Sequence, residues 1–229
     1  MPDPGQEPTG WRLLWRGFLR ILVSATMRVY FRWRVTNRPR IDGAFVLVAN
    51  HSSFLDPVVL GAASPRPVSF LINSMSNRSP LRWFYRLFGS IPIDPRGGNR
   101  DSLRLARSKL ESGQIIGVFP EGGITRDGGL LLGNPGAVAL VLSRDVFVVP
   151  VGLCGVGEAF PYGAIFPRPK RIEVRFGEPI PASELMVDGG SRKEQLARAT
   201  EMIMREIGSL IGRECREDEL RRHFAASRA

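Results

Sequence analysis

Cysteine, histidine and long apolar runs are all scarce in this chain of 229 residues, and each scarcity removes a class of protein. Two cysteines, Cys154 and Cys215, cannot build a disulfide framework and fit a reducing compartment. With only two histidines, His51 and His223, a general base working near neutral pH has few candidates. No helix-turn-helix, RNA-recognition or zinc signature is present, so nucleic-acid binding is a minor alternative rested on charge alone. A transmembrane helix needs about 20 predominantly apolar residues. The best stretch, residues 11–31, is broken by Arg12, Arg16, Arg20 and Arg28, and its longest uncharged run is 21–27. A secretory signal, with a continuous apolar region and a small-residue cleavage site, fits no better. The expectation is a protein of the cytoplasmic side that rests on a membrane, peripheral or monotopic, without crossing it.

What is present in excess is positive charge. The net charge is +10, and residues 1–40 carry eight Arg against Asp3 and Glu7. That segment therefore holds +6 of the total. Basic segments seek phosphate, on nucleic acid or on anionic lipid. Residues 1–10 read as a disordered leader by composition. From Trp11, Arg12, Arg16 and Arg20 recur every four residues beside Trp11, Leu14, Trp15, Phe18, Leu19, Leu22 and Val23. An Arg stripe next to a Trp-rich apolar face suits a helix lying in the lipid interface; docking on its own domain is the alternative. Residues 11–40 are accordingly expected as a basic amphipathic surface helix and linker, and 41–229 as one domain.

Strands are predicted at 44–50, 68–72, 114–119, 146–153 and 172–176, and helices at 57–63, 79–88, 101–110 and 137–143. A last helix starts after Ser191, which has capping-box spacing to Glu194, and continues through Leu210. Gly113 stops the helix before it. Strands alternating with helices imply an α/β fold with a largely parallel sheet flanked by helices.

Three segments carry chemistry. Asn50-His51-Ser52-Ser53-Phe54-Leu55-Asp56-Pro57 follows the first core strand. Asp56 can curl back and accept from imidazole Nδ1, leaving Nε2 for a proton. The same Asp-Pro pair also fits a helix N-cap followed by Pro in the first turn, and both readings stay open. Phe119-Pro120-Glu121-Gly122-Gly123-Ile124-Thr125-Arg126 follows another strand. Its glycines permit tight turns, Arg126 can pair with phosphate, and Glu121 can accept from a hydroxyl or brace the loop. It lacks the Gly-Lys-Ser/Thr ending of a nucleotide P-loop. Gly89-Ser90-Ile91-Pro92-Ile93-Asp94-Pro95-Arg96, with Arg100 behind it, can line a headgroup site or be a solvated turn. Gly152-Leu153-Cys154-Gly155-Val156 nearly spells a nucleophile elbow, but Val156 replaces the final Gly. Cys154 reads better as a small residue at a strand end, and His223 as a solvated tail residue.

In order and separation these segments resemble the lysophospholipid acyltransferases, the family of 1-acylglycerol-3-phosphate acyltransferases and their relatives, over roughly residues 42–179. His51 and Asp56 match the family's His-(four residues)-Asp dyad. Residues 89–96 resemble its second block, and Phe119-Pro120-Glu121-Gly122 its third. Val148-Val149-Pro150-Val151-Gly152 resembles the fourth, where a proline ends a buried strand near the acyl-chain pocket. Two residues separate Glu121-Gly122 from Thr125-Arg126, and Asp94-Pro95 precedes Asn99. Both features look more like the 2-acylglycerophosphoethanolamine acyltransferase subgroup. Asn73-Ser74-Met75 stands where many members place a Lys.

The resemblance implies His51 and Asp56 as catalytic residues, and Glu121, Gly122, Thr125, Arg126 and Arg96 around the acceptor. Pro150 would stand at the acyl pocket. It further implies acyl-CoA or acyl-carrier protein as donor, a lysophospholipid acceptor, an anionic membrane surface as partner, and neither metal nor cofactor. A catalytically inactive lipid-binding member of the same fold is the alternative.

Overall fold

The computed structural model describes residues 10–73, 89–94, 99–126, 129–139, 146–185 and 190–213. Its centre is explained by three short apolar runs. Phe-Val-Leu-Val-Ala forms β2 (Phe45–Ala49), Ile-Ile-Gly-Val forms β5 (Ile115–Val118), and β6 is Phe147–Cys154. Runs with no polar alternation are what a strand covered on both faces requires. β2 lies between β5 and β6, parallel to each. β3 (Val68–Asn73) extends the sheet beyond β5, and β4 (Ile91–Ile93) lies at that edge. On the other side β6 pairs antiparallel with β7 (Glu173–Phe176), and β7 pairs parallel with β1 (Arg34–Thr36). The order is β1-β7-β6-β2-β5-β3-β4, and β8 (Ile180–Pro181) pairs with β6 beside it. The expected α/β fold with a mostly parallel, helix-flanked sheet is the one observed.

Strand alternation divides the core in two. Val46, Val48, Ile116, Val118 and Val148 face α7 (Arg192–Ile211), which buries Ala199, Ile203, Met204 and Ile207. Phe45, Leu47, Ala49, Ile115, Val149 and Val151 face α2 (Asp56–Ala63) and the end of α1 (Gly10–Tyr30), through Met27 and Phe31. Each such fully buried aliphatic or aromatic side chain contributes about 1.5–3 kcal/mol against exposure. Gly117 of β5 is required sterically. A Cβ there would lie 2.4 Å from the Phe70 ring, so glycine lets Phe70 of β3 lie across the strand.

The last helix begins where the capping pattern places it. Ser191 accepts from the Glu194 backbone N–H while the Glu194 carboxylate accepts from that of Ser191. The helix predicted at 101–110 spans Arg100–Glu111 (α3). Short elements escaped the sequence: β1, β4, β8, α5 (Val156–Ala159) and α6 (Ala182–Leu185), whereas α4 (Pro135–Val138) overlaps a predicted helix. The helix expected at 137–143 has its described turn at α4, moved upstream because Asn134 caps it by accepting from the Gly136 N–H. Most of its remainder, the helix expected at 79–88 and residues 1–9 of the leader expected at 1–10 lie outside the described residues, while Gly10 opens α1.

Two further expectations change. The linker in residues 11–40 contains β1, which joins the sheet by pairing with β7, so the domain's sheet begins before residue 41. Pro150 does not end its strand; β6 runs on to Cys154. The Pro150 carbonyl accepts from Gly177 N–H, on the side where β6 exchanges its antiparallel neighbour β8 for β7. A missing N–H is tolerated where the ladder is interrupted.

Candidate active site

Seventy residues separate His51 from Glu121, yet the sheet makes them neighbours. β2 and β5 are adjacent and parallel, so their carboxyl ends open side by side, the usual place for a site in such sheets. Asn50 closes the end of β2 against β6. Its side-chain amide donates to Leu153 O at 3.0 Å and accepts from Leu153 N at 2.8 Å. His51 follows on the turn.

The turn is organised by one carboxylate oxygen. Asp56 Oδ2 lies 2.8 Å from His51 Nδ1 and accepts from the backbone N–H groups of Ser52 at 2.6 Å and Ser53 at 2.7 Å. Asp56 is fully buried, whereas the His51 side chain is 18 % exposed. Its other oxygen, Oδ1, is buried and has no hydrogen bond. The cap reading of Asp56 takes a different form here. The N-cap position falls on Leu55, which makes no side-chain cap, and the carboxylate turns back to the loop behind it. The imidazole stacks on Phe119 with centroids 4.4 Å apart, and Phe119 in turn stacks on Phe70 at 5.8 Å. Ring plane and Nδ1 are thus both fixed.

The Glu121 loop is bonded directly to this turn. Glu121 Oε1 accepts from His51 N at 2.7 Å, and Oε2 accepts from the Thr125 hydroxyl at 2.6 Å and from Leu131 N at 3.1 Å. Thr125 N donates to His51 O at 2.9 Å, which closes a ring of bonds between the two segments. Glu121 and Thr125 are buried, so they brace the loop. Burial pushes the Glu121 carboxyl above its ordinary value, against hydrogen bonds from Thr125, His51 and Leu131 that favour the anion. Gly122 is exposed at φ 71°, which lets the chain turn between the two. Arg126 is exposed, and its guanidinium lies 4.3 Å from the centroid of the Tyr162 ring. Tyr162 also stacks on Phe54, at 5.7 Å.

His51, on its turn, is therefore bonded both to Asp56 at the start of α2 and to the loop that carries Glu121, Gly122, Thr125 and Arg126. Pro150 stands apart, buried in mid-strand, in register with Val48. Arg96 lies outside the described residues. In the same segment, Asn99 brackets Asp94, accepting from its N–H at 2.7 Å and donating to its carbonyl at 2.8 Å. Cys154 is the last residue of β6, and burial pushes its thiol above the ordinary value, a poor setting for a nucleophile. Among the described residues no cluster of metal-binding side chains occurs. Sequence reasoning missed Asn50, Phe119 and Tyr162 as site residues. Phe119 had a signal, standing at the strand end next to Glu121; Tyr162 had none.

A family model described as acyltransferase matches residues 32–154. A chloroplastic 1-acyl-sn-glycerol-3-phosphate acyltransferase of Arabidopsis thaliana is 32 % identical over 132 residues, 56 % of this chain and 36 % of that protein. The chain thus spans little more than a third of that relative's length. A 1-acyl-sn-glycerol-3-phosphate acyltransferase of Bacillus subtilis (strain 168) is 25 % identical over 177 residues, 74 % of this chain and 82 % of the relative. The crystal structure of the 1-acyl-sn-glycerophosphate acyltransferase PlsC from Thermotoga maritima shares the fold, with a TM-score of 0.63 over 90 % of both chains at 22 % identity.

Proposed function

The chain belongs to the acyltransferase family, and from that premise we propose that it transfers a fatty acyl group from a thioester donor to the hydroxyl of a lysophospholipid. The acceptor is 1-acylglycerol-3-phosphate or a close relative, the substrate class in the names of the similar proteins. The donor is acyl-CoA or acyl-carrier protein, both of which offer the activated carbonyl such a reaction needs. The observation that carries the reading is the 2.8 Å contact of His51 Nδ1 with buried Asp56 Oδ2.

In this mechanism His51 Nε2 takes the acceptor's hydroxyl proton as the oxygen attacks the thioester carbonyl. Asp56 holds the tautomer and stabilises the imidazolium. Collapse of the tetrahedral adduct forms the ester, breaks the C–S bond and returns the proton from Nε2 to the departing thiolate. No acyl-enzyme forms. Arg126, exposed at the rim, pairs with the acceptor phosphate. The enzyme works on the cytoplasmic face of an anionic membrane, held there by its N-terminal helix. No helix among the described residues is long and apolar enough to cross a membrane. The side chains of Trp11, Arg12, Trp15, Arg16 and Arg20, on which the amphipathic pattern of α1 rests, lie outside the described residues.

The test is a panel of lysophospholipids with both donors, read by mass spectrometry of the products. Diacyl product from a lysophospholipid, lost in His51→Ala, is the expected result. Thioester hydrolysis without transfer to any acceptor would overturn it, as would a folded His51→Ala variant that keeps its turnover.

A further inference from the structure

The chain leaving α5 carries the most exposed large apolar pair in the described domain. Ile165 and Phe166 are 83 % and 78 % exposed. The base of this segment is held firmly. Ser53 Oγ donates to Phe160 O at 2.7 Å, Ala164 N donates to Pro161 O at 3.0 Å, and Arg168 N donates to Ala159 O at 2.6 Å. A tip presented in this way by a bonded base is exposed by construction of the fold.

Its surroundings join two regions already described. On one side the Tyr30 hydroxyl of α1 donates to Pro167 O at 2.8 Å, next to Val29, which is itself 81 % exposed. On the other side Tyr162 stacks on Phe54 and lies under the Arg126 guanidinium at the mouth of the site. Residues 161–171 contain no acidic residue, and Arg168, Lys170 and Arg171 are exposed there, as are Arg28 and Arg32 on the adjoining chain. Of the flanking carboxylates, Glu173 is engaged by Arg171 and Arg175, while Glu158 and Glu178 are exposed.

We propose that residues 162–171 form a second lipid-docking element, distinct from the arginine stripe of α1, which inserts Ile165 and Phe166 into an anionic leaflet. An apolar tip with exposed cations on the flanking segments matches the two layers of such a leaflet: the side chains reach the acyl boundary while Arg168, Lys170, Arg28 and Arg32 meet headgroup phosphates. Docking there sets the rim at Tyr162 and Arg126 against the surface from which a lipid acceptor arrives. In that respect the inference rests on the proposed function, although the binding itself does not.

The experiment uses the full chain and vesicles of phosphatidylcholine with increasing phosphatidylglycerol. Co-sedimentation of the Ile165→Ser, Phe166→Ser double variant should weaken about ten-fold or more, at low and high salt alike. The Arg168→Gln, Lys170→Gln pair should weaken binding about five-fold per charge, at low salt only. Turnover of a short-chain acceptor below its micellar threshold should be unchanged in the apolar double variant, which separates docking from chemistry. Hydrogen exchange of the unsubstituted protein gives a reading that no folding defect can confuse, and residues 162–166 should gain protection when vesicles are added. Unaltered exchange there, or a folded double variant that sediments like the parent, overturns the proposal. So does a double variant that turns a dimer into a monomer without affecting vesicle binding, because the tip would then cover a second copy. Vesicle binding as expected with no turnover on any acceptor supports docking and sinks the acyl-transfer reading alone.

Discussion

Two loops are tied to the turn that carries His51, one through Glu121 and one through Phe160, and they are held by different physics. The Glu121 side is polar, buried and closed on itself. One carboxylate accepts three donors, Thr125 N bonds His51 O, and Asn134 N bonds Pro120 O at 2.7 Å. The Tyr162 side is tied at its base by the Ser53–Phe160 bond and then runs outward into exposed aromatic and aliphatic side chains. Proton transfer is lost when reacting atoms move by an ångström, so the wall that fixes the imidazole is over-determined by directional bonds. A lipid surface is fluid and gains binding from area, so the wall that meets it can be built from unpaired apolar groups. Substitutions on the first wall should therefore change rate, and those on the second should change binding.

The largest effect expected is from His51→Ala, on the order of 10²–10⁴ in kcat/KM, with some loss of stability as well because buried Asp56 loses its imidazole partner. Comparable loss from any change at the Tyr162 side would break the division. Next is Asp56→Asn. Asparagine keeps an oxygen for the Ser52 and Ser53 N–H groups but removes the charge behind the imidazolium. It also puts an NH2 group where Oδ1 now meets no hydrogen bond. A fall on the order of 10² in rate is expected, together with about 1–3 kcal/mol of stability. Should stability fall and rate hold, Asp56 serves the turn alone.

Glu121→Gln tests whether the polar wall is structural. A glutamine offers one acceptor oxygen where two are used, and its NH2 faces donors, so about 1–3 kcal/mol is expected to be lost. The pH dependence sharpens this. Because burial raises the native pKa of Glu121 above the ordinary 4.5, the native state binds that proton more tightly than the unfolded chain. Its contribution to stability therefore falls as pH rises from about 4.5 through the raised value. Glutamine does not titrate, so the gap in unfolding free energy between parent and variant should narrow over that interval. Urea unfolding of both at several pH values measures it. A gap that widens would mean the three donors outweigh burial.

Much of this architecture was legible beforehand, and the parts that were not have physical reasons. Continuous apolar runs announced β2, β5 and β6, and the Ser191–Glu194 spacing announced the start of α7. The three-residue strands β1 and β4 are too short to show a period, and pairing with β7 and β3 defines them. The strand through Pro150 was readable at 146–153, although the resemblance implied that the proline ends it, and the change of neighbours along β6 makes a proline tolerable there. At the site, His51 and Asp56 are five residues apart and readable from spacing. That Glu121 bonds the His51 backbone depends on β2 and β5 lying side by side, which a linear chain does not display. Tyr162 reaches the site from a loop with no regular pattern, so its meeting with Arg126 could not have been read.

The smallest effects should come from that meeting, and they test where the two walls join. Arg126 belongs to the Glu121 loop by sequence but packs on the Tyr162 ring at 4.3 Å. If Arg126 pairs with the acceptor's phosphate, Arg126→Ala should raise the acceptor's KM about ten-fold or more and leave the donor's unchanged, since a charge-assisted contact is worth about 1.5–3 kcal/mol. Tyr162 only holds the guanidinium in place. An exposed cation–π contact contributes about 0.5–1 kcal/mol, so Tyr162→Ala should raise the same KM about two- to five-fold. Tyr162→Phe keeps the ring and should behave as the parent. The two losses should also fail to add: with Arg126 already alanine, removing the ring has no cation left to orient, and the double variant should match Arg126→Ala. Steady-state kinetics with a monomeric acceptor measures all four proteins free of membrane binding. Full additivity would give Tyr162 an acceptor contact of its own and move part of headgroup recognition onto the lipid-facing wall.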